Sequence, residues 1–228
     1  MRYYPVCLDI KGRPCTVVGG GAVAERKVEG LVKAGAVVTV ISPRATKRIL
    51  SLARAGSVTH VRRGYRTGDL AGSALVVCAS GSRAVNLAAH KEAAGVNIPV
   101  NVVDDPGRCS FIIPSVVDRG SLLVAISTSG KCPLLAKTLR KGLEKTLGPE
   151  YAPFVELLGA VRNKLLKNGA NSVKKEEALA AIIASPIRGW LGSGRRKEVN
   201  AFLRDILGAG YSLGALGIRL KRKDAAGR

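Results

Sequence analysis

The chain has 228 residues, 46% apolar and 23% charged, a globular mixture that excludes a disordered or low-complexity protein. At about 150 residues per domain, this length means one large domain or two small ones. Lys and Arg number 37 against 16 Asp and Glu, so the net charge of +21 asks for an anionic partner: nucleic acid, a membrane surface or an acidic small molecule. Short β-branched runs alternate with helical stretches through the first half. Cys15-Thr16-Val17-Val18 is the first predicted strand and leads through a glycine turn to a helix from Val23 to Ala34. Val37–Ile41 is the second strand, followed by a helix near Arg44 to Ala53. Val58–Val61 and Ala74–Cys78 are the next two strands, and a helix from Arg83 to Ala94 precedes Ile98–Val103. Strands separated by helices predict a parallel sheet covered on both faces. The pattern then changes. Ser110–Ile113 and Ser121–Ser127 are predicted strands joined by the turn signal Asp118-Arg119-Gly120. Pro133 opens a helix in which Leu135, Leu139, Leu143 and Leu147 form one stripe and Lys137, Lys141 and Lys145 another. After Gly148-Pro149 the pattern is helical, over about 151–168, 174–184 and 196–208.

Several classes drop out. The longest apolar run, Ala178–Ala184, is far short of the ~18 residues a membrane span needs, and the first residues lack an apolar export signal. Five cysteines without a CxxC pair argue against a disulfide framework or zinc knuckle and fit reduced thiols in a cytoplasm. Residues 1–113, 114–150 and 151–228 hold 16, 6 and 15 basic residues against 7, 3 and 6 acidic ones, so the positive charge is spread. Only Arg219-Leu220-Lys221-Arg222-Lys223 is a basic run, and such a run is usually a solvated end.

Val17-Val18-Gly19-Gly20-Gly21-Ala22-Val23-Ala24 fits the G-x-G-x-x-G/A pattern between a strand and a helix. In such a turn Gly19 permits the tight bend, and Gly21 lets backbone approach a pyrophosphate. Ala24 is small enough for helix–sheet packing, and the helix start offers free N–H groups. A dinucleotide site of the Rossmann type is the expected reading; a glycine-rich turn in an unliganded α/β domain is the plainer one. The second strand ends Ile41-Ser42-Pro43-Arg44, with no acid for the ribose 2′-hydroxyl. Ser42 offers a weaker hydrogen bond, and Arg44 leaves room on electrostatic grounds for NADP beside NAD.

Val18–Lys27 and Ala34–Pro43 resemble the precorrin-2 dehydrogenase/sirohydrochlorin ferrochelatase family, the siroheme synthase module. The resemblance continues through Val100-Asn101-Val102-Val103-Asp104-Asp105-Pro106, Ser110–Ser115 and Ala125–Ala136, and covers about residues 1–150. It implies NAD-dependent oxidation of precorrin-2 to sirohydrochlorin, followed in some members by insertion of ferrous iron in the same cleft. It also implies a homodimer joined through the middle segment, with the cleft between domains. The dinucleotide falls at the glycine turn, around Ala22 and Val23 and near Pro43 and Arg44, and the catalytic aspartate falls at Asp104. The division expected is a Rossmann-like domain (1–113), a dimerisation segment (114–150) and a helical domain (151–228). Where the family often has Ala-Thr-Asp-Asp, this chain reads Ala79-Ser80-Gly81-Ser82. Ser80 keeps a hydroxyl for the cofactor, but both acids are gone. Thr128 and Cys132 stand where relatives carry serines, and the expectation is a stand-alone form without an appended methyltransferase module.

Asp104 and Asp105 follow an apolar strand, at the end of a parallel sheet where ligands bind. A turn-capping carboxylate is the plain alternative; the resemblance favours Asp104 as the catalytic group and leaves Asp105 structural. Asn101 orients the cofactor or satisfies backbone groups at a strand crossing. Ser127, Thr128 and Ser129 bind a substrate carboxylate or cap the next helix. His60 and His90 lack a partner at i+4 and are not metal ligands by position, so no metal site is expected. The leucine stripe is core or dimer contact. Two other functions compete: a dinucleotide-sensing domain without chemistry, which leaves Asp104 and Ser127–Pro133 unexplained, and a basic nucleic-acid binder, for which no helix-turn-helix, zinc or aromatic stacking motif is present.

Overall fold

Valine-rich runs make the central sheet because β-branched side chains pack well on a pleated surface buried on both sides. In the computed structural model, which describes residues 3–220, five parallel strands lie in the order β3-β2-β1-β4-β5. They are β1 (Pro14–Val18), β2 (Val37–Ile41), β3 (Val58–Val61), β4 (Leu75–Cys78) and β5 (Val100–Val102). Helices α1 (Ala22–Lys33), α2 (Lys47–Arg54) and α3 (Arg83–Gly95) connect them. Val17, Val38, Val40 and Val77 pack with Ala24, Val28 and Ile49 in one core; Val18, Val76, Ala89 and Ala93 belong to a second. Thr16 is a polar residue in the middle of β1, and its hydroxyl is paired with that of Ser73 at 2.7 Å, so its burial leaves no orphan. The expected Rossmann-like sheet is therefore present, and β1 is its central strand.

The first departure from expectation comes at residues 110–113, which form no strand. β5 is an edge, and side chains cover its outward backbone groups. Ser110 Oγ accepts the Val100 N–H at 2.8 Å, and Cys109 Sγ accepts that of Val102 at 3.2 Å. Asn101 Nδ2 donates to the Phe111 carbonyl at 3.0 Å. The segment's polar groups are thus spent along the edge, and Pro114 brings no N–H to begin a ladder. The hairpin starts one step later. β6 (Ser115–Arg119) pairs antiparallel with β7 (Leu122–Ile126) around Gly120, whose φ of 70° suits glycine there, and Asp118 Oδ1 accepts the Gly120 N–H at 2.9 Å.

Beyond the hairpin come α4 (Pro133–Thr146), α5 (Tyr151–Lys167), α6 (Ser172–Ala184), α7 (Ile187–Ser193) and α8 (Arg196–Leu207). Helix α7 is a second departure. Ser185-Pro186 reads as a break, yet Ser185 Oγ accepts the Ile187 N–H at 3.2 Å and Pro186 is the cap, so the pair starts a helix as well as ending one. Ile187 and Leu191 then join Phe154, Leu157, Val161, Ile182, Val199 and Leu203 in the helical core. The described chain divides into two compact units. One holds the sheet, to Ile113, with Ser129–Lys131; the other holds Pro114–Thr128 and the chain from Cys132 on. Of the basic run near the end, Lys221, Arg222 and Lys223 lie outside the described residues.

Of the leucine stripe, Leu143 and Leu147 are half-buried, and the first two leucines are not core within the chain. Leu135 and Leu139 are 48% and 47% exposed, and on α4 only Ala136 is buried. Antiparallel register puts Val116, Leu123 and Ala125 on the outward face of the hairpin, and Leu123 is 54% exposed.

Candidate active site

Three loops meet at the carboxyl end of the sheet, and glycine is what lets them meet. Gly19 follows β1 with φ 125°, its N–H donates to the Ile41 carbonyl at 2.9 Å, and a Cβ there would overlap the Ala79 carbonyl. The Gly20 carbonyl accepts the Thr46 N–H at 3.0 Å, and a Cβ on Gly20 would overlap the Arg44 carbonyl and touch Ser42 Oγ. Gly21 is different. Its backbone is extended (φ −81°), and a Cβ would find nothing within 4 Å. The first two glycines are required by protein atoms, whereas the third faces open space.

That space lies at the start of α1. The first helical bond runs from the Glu25 N–H to the Gly21 carbonyl, so the N–H groups of Ala22, Val23 and Ala24 precede it, and no side chain caps the helix. An anion is favoured at such an end by the free donors and the helix dipole. Ala24 is fully buried against the sheet, as a small residue at that position must be. The turn therefore fits a dinucleotide pyrophosphate on its own geometry.

Around the turn, the predicted residues divide into supporting and exposed ones. Ser42 is only 4% exposed, and its hydroxyl pairs with His60 Nε2 at 3.2 Å beneath the turn. Pro43 and Arg44 are more open: Pro43 is exposed and Arg44 stands at the head of the β2–α2 connection. Ser80 lies half-buried in the β4–α3 loop, where its hydroxyl accepts the Ser82 N–H at 3.2 Å. Ser82 in turn caps α3 through the Val85 N–H, so two hydroxyls serve the turn in place of acids. Sequence reasoning missed Asn86. Its side chain accepts the Ser80 N–H at 3.0 Å and donates to the Ser80 carbonyl at 2.9 Å, clamping the loop against Gly19. The signal was available: Asn86 shares the buried stripe of Ala89 and Ala93, where an apolar residue is expected.

Asp104 follows β5 with φ 59°, an uncommon conformation that aspartate tolerates better than most residues. It is exposed, and its carboxylate has no hydrogen-bond or ion-pair partner among the described residues. Asp105 instead pairs with Arg108 across a short 3-10 turn, Pro106–Arg108. Asn101 ties β5 to Phe111, the strand-crossing alternative. Thr128 Oγ1 accepts the Cys132 N–H at 3.1 Å and so caps α4, while Ser127 precedes it and Ser129 has φ 55°. Burial raises the Cys109 thiol and pushes Cys78 up to about 12, which keeps both protonated and poor as nucleophiles or ligands. Among the described residues no three His, Cys, Asp or Glu side chains converge to hold a metal ion. No described helix is long and apolar enough to cross a membrane.

Comparison with known proteins bears on the family and the fold. A family model described as "Putative NAD(P)-binding" matches residues 6–115. A siroheme synthase of Vesicomyosocius okutanii subsp. Calyptogena okutanii (strain HA) is 37% identical over 208 residues, 90% of this chain and 44% of its own length. One from Photobacterium profundum is 42% identical over 167 residues, 73% of this chain and 36% of its own. The chain thus spans less than half the length of these relatives. Among solved structures, SirC, a precorrin-2 dehydrogenase, matches with a TM-score of 0.73 and 30% identity, over 90% of this chain and 98% of that one.

Proposed function

The chain belongs to the precorrin-2 dehydrogenase family, and from that premise we propose that it oxidises precorrin-2 to sirohydrochlorin with NAD in siroheme biosynthesis. The observation that carries this reading is a fold matching nearly all of SirC, joined to a glycine turn whose third glycine faces open space. Neither the sensing-domain nor the nucleic-acid alternative explains both.

The oxidation removes a hydride and a proton from the tetrapyrrole. Bound at the turn, the nicotinamide dinucleotide supplies the hydride acceptor. The N–H groups of Ala22 and Val23 hold its pyrophosphate, Gly21 leaves the room, and Pro43 and Arg44 border its adenosine end. Ser42, Ser80 and Asn101 act behind them by fixing the loops. Asp104 receives the proton, since its carboxylate is exposed and unpaired among the described residues while that of Asp105 is taken by Arg108. Ser127, Thr128 and Ser129 receive substrate carboxylates, Thr128 while capping α4. Ferrous iron is a second substrate in this reading: its insertion releases two pyrrole protons, which Asp104 takes one at a time and passes to water.

We read residues 1–113 as the dinucleotide domain, 114–150 as the dimerisation segment and 151–228 as the helical domain. A second copy covers the apolar face formed by Val116 and Leu123 of the hairpin and Leu134, Leu135 and Leu139 of α4, whose exposure supports a homodimer. Five free thiols support a cytoplasmic site of action. The test is optical. Enzyme mixed with precorrin-2 and NAD should develop the sirohydrochlorin spectrum together with NADH absorbance; a mixture that develops neither overturns the reading.

A further inference from the structure

Tyr4-Pro5-Val6-Cys7-Leu8 has the composition of a strand but belongs to no element. Tyr4, Val6 and Leu8 are 84%, 63% and 57% exposed, so every second residue leaves a large apolar side chain in water. Among the described residues nothing gives this segment a hydrogen bond. The chain is anchored directly after it: Ile10 packs on the sheet core, and the Gly12 N–H donates to the Gly35 carbonyl at 2.8 Å. Three large apolar groups within five residues make a patch of the kind a partner covers.

The hairpin has the matching deficit. β6 and β7 form a sheet of only two strands, and among the described residues no backbone outside their ladder bonds to β7, so its outer edge is open. Both β7 and the segment are five residues long. Pro5 fixes the parity of any pairing. It has no N–H to give a ladder, so it turns outward, and Tyr4, Val6 and Leu8 turn their N–H and carbonyl groups toward the neighbour. Area points the same way. A standard interface takes ~800 Å² from each partner, a little over half of it apolar. The exposed Val116, Leu123, Leu134, Leu135 and Leu139 offer on the order of 300 Å², and Tyr4, Val6 and Leu8 offer about as much again. The face of hairpin and α4 falls short alone and reaches that standard with the segment added.

From these residues we infer that Tyr4–Leu8 of one copy adds to the open edge of β7 in a second copy as a third strand. Its apolar face then continues the outward face of Leu123 and Ala125. The inference rests on the homodimer reading above and deepens it, by naming the segment that docks and the edge that receives it. Backbone bonds to β7 set the register, and the alternating apolar side chains supply the burial.

The experiment combines sedimentation with amide hydrogen exchange on the full chain. At concentrations where wild type is a dimer, residues 4–8 and 122–126 should both be protected, and both should lose protection on dilution to monomer. Val6→Asp puts a charge on the apolar face and should weaken the dimer about tenfold or more. Val6→Pro removes an N–H that faces β7 and should weaken it too, whereas Cys7→Pro removes one that faces away and should stay within about twofold of wild type. All three should keep the wild-type midpoint of thermal unfolding in the monomer, since the segment bonds to nothing in its own chain. The inference fails alone if wild type is a dimer in which residues 4–8 exchange freely, or if Val6→Asp dimerises as wild type does. It also fails alone if the diluted monomer still protects residues 4–8, because the same chain then covers them. If wild type is a monomer at every concentration, the homodimer reading falls and takes the inference with it.

Discussion

Neighbouring residues of the same type do different work at this site, and substitution separates them. Gly20 is confined by the Arg44 carbonyl and Ser42, so Gly20→Ala overpacks the turn and should cost about 1–3 kcal/mol, seen as a lower midpoint of thermal unfolding. Gly21 has ordinary backbone angles and open space, so Gly21→Val should cost at most about 1 kcal/mol of helix-cap preference. That variant should stay folded and lose NADH fluorescence binding; unchanged affinity in a folded protein removes the turn from the site. The two aspartates separate in the same way. Asp104→Asn keeps a residue that tolerates φ 59° and removes the proposed proton acceptor, and a positioned base contributes ~10²–10⁴-fold, so turnover should fall by about that factor with NADH affinity unchanged. Asp105→Ala breaks only the pair with Arg108 and should cost much less turnover. Near wild-type oxidation by Asp104→Asn sends the proton elsewhere. Lost oxidation with retained iron insertion defeats only the idea that one carboxylate serves both reactions.

At the level of elements, the parallel sheet was legible because its signals are local and redundant. Strict alternation of apolar and polar residues is absent, and the near-continuous apolar strands at residues 16–18, 38–41 and 75–78 announce burial on both faces. The glycine turn was legible for the same reason, since strand, turn and helix all sit in sequence order. What escaped depends on side-chain hydrogen bonds to backbone, which hydrophobic spacing does not encode. Residues 110–113 have strand composition, yet beyond the Ser110 N–H on the Val100 carbonyl their ties to β5 are side-chain bonds, which no periodicity records. Helix α7 was hidden by Ser185-Pro186, a pair that caps as readily as it breaks. The clamp of Asn86 on Ser80 joins a helix face to a loop six residues earlier. The leucine stripe was visible, but its covering was not, because apolar spacing is the same for a core and for an interface. Its exposure within one chain makes a test. Leu135→Asp and Leu139→Asp place charges on a surface that the chain itself leaves open, so each should fold and sediment as a monomer where wild type sediments as a dimer. A wild-type monomer, or dimers in both variants, would remove this face from any interface.

Across the whole molecule, the net charge of +21 acts on two equilibria with opposite sign. The proposed substrate carries many carboxylates, so attraction from basic residues in both units raises its encounter rate and its residence near the site. The proposed dimer brings together two chains of the same charge, so their mutual repulsion opposes association. Salt screens both interactions. The screening length falls from ~30 Å at 0.01 M to ~10 Å at 0.1 M, a distance shorter than a domain of this size. Raising salt over that range should therefore increase KM for the tetrapyrrole, with kcat much less affected because the proton moves over bonding distance. The same change should tighten the dimer, since burial of Leu123, Leu135 and Leu139 is insensitive to ionic strength while the repulsion against it declines. Measured together, sedimentation and initial rates at several salt concentrations distinguish this account from a loss of activity by dissociation, in which both would weaken in parallel. A kcat/KM ratio that does not respond to salt means the positive charge serves another anion. A dimer that loosens as salt rises means ion pairs, and not the apolar face, hold the copies together.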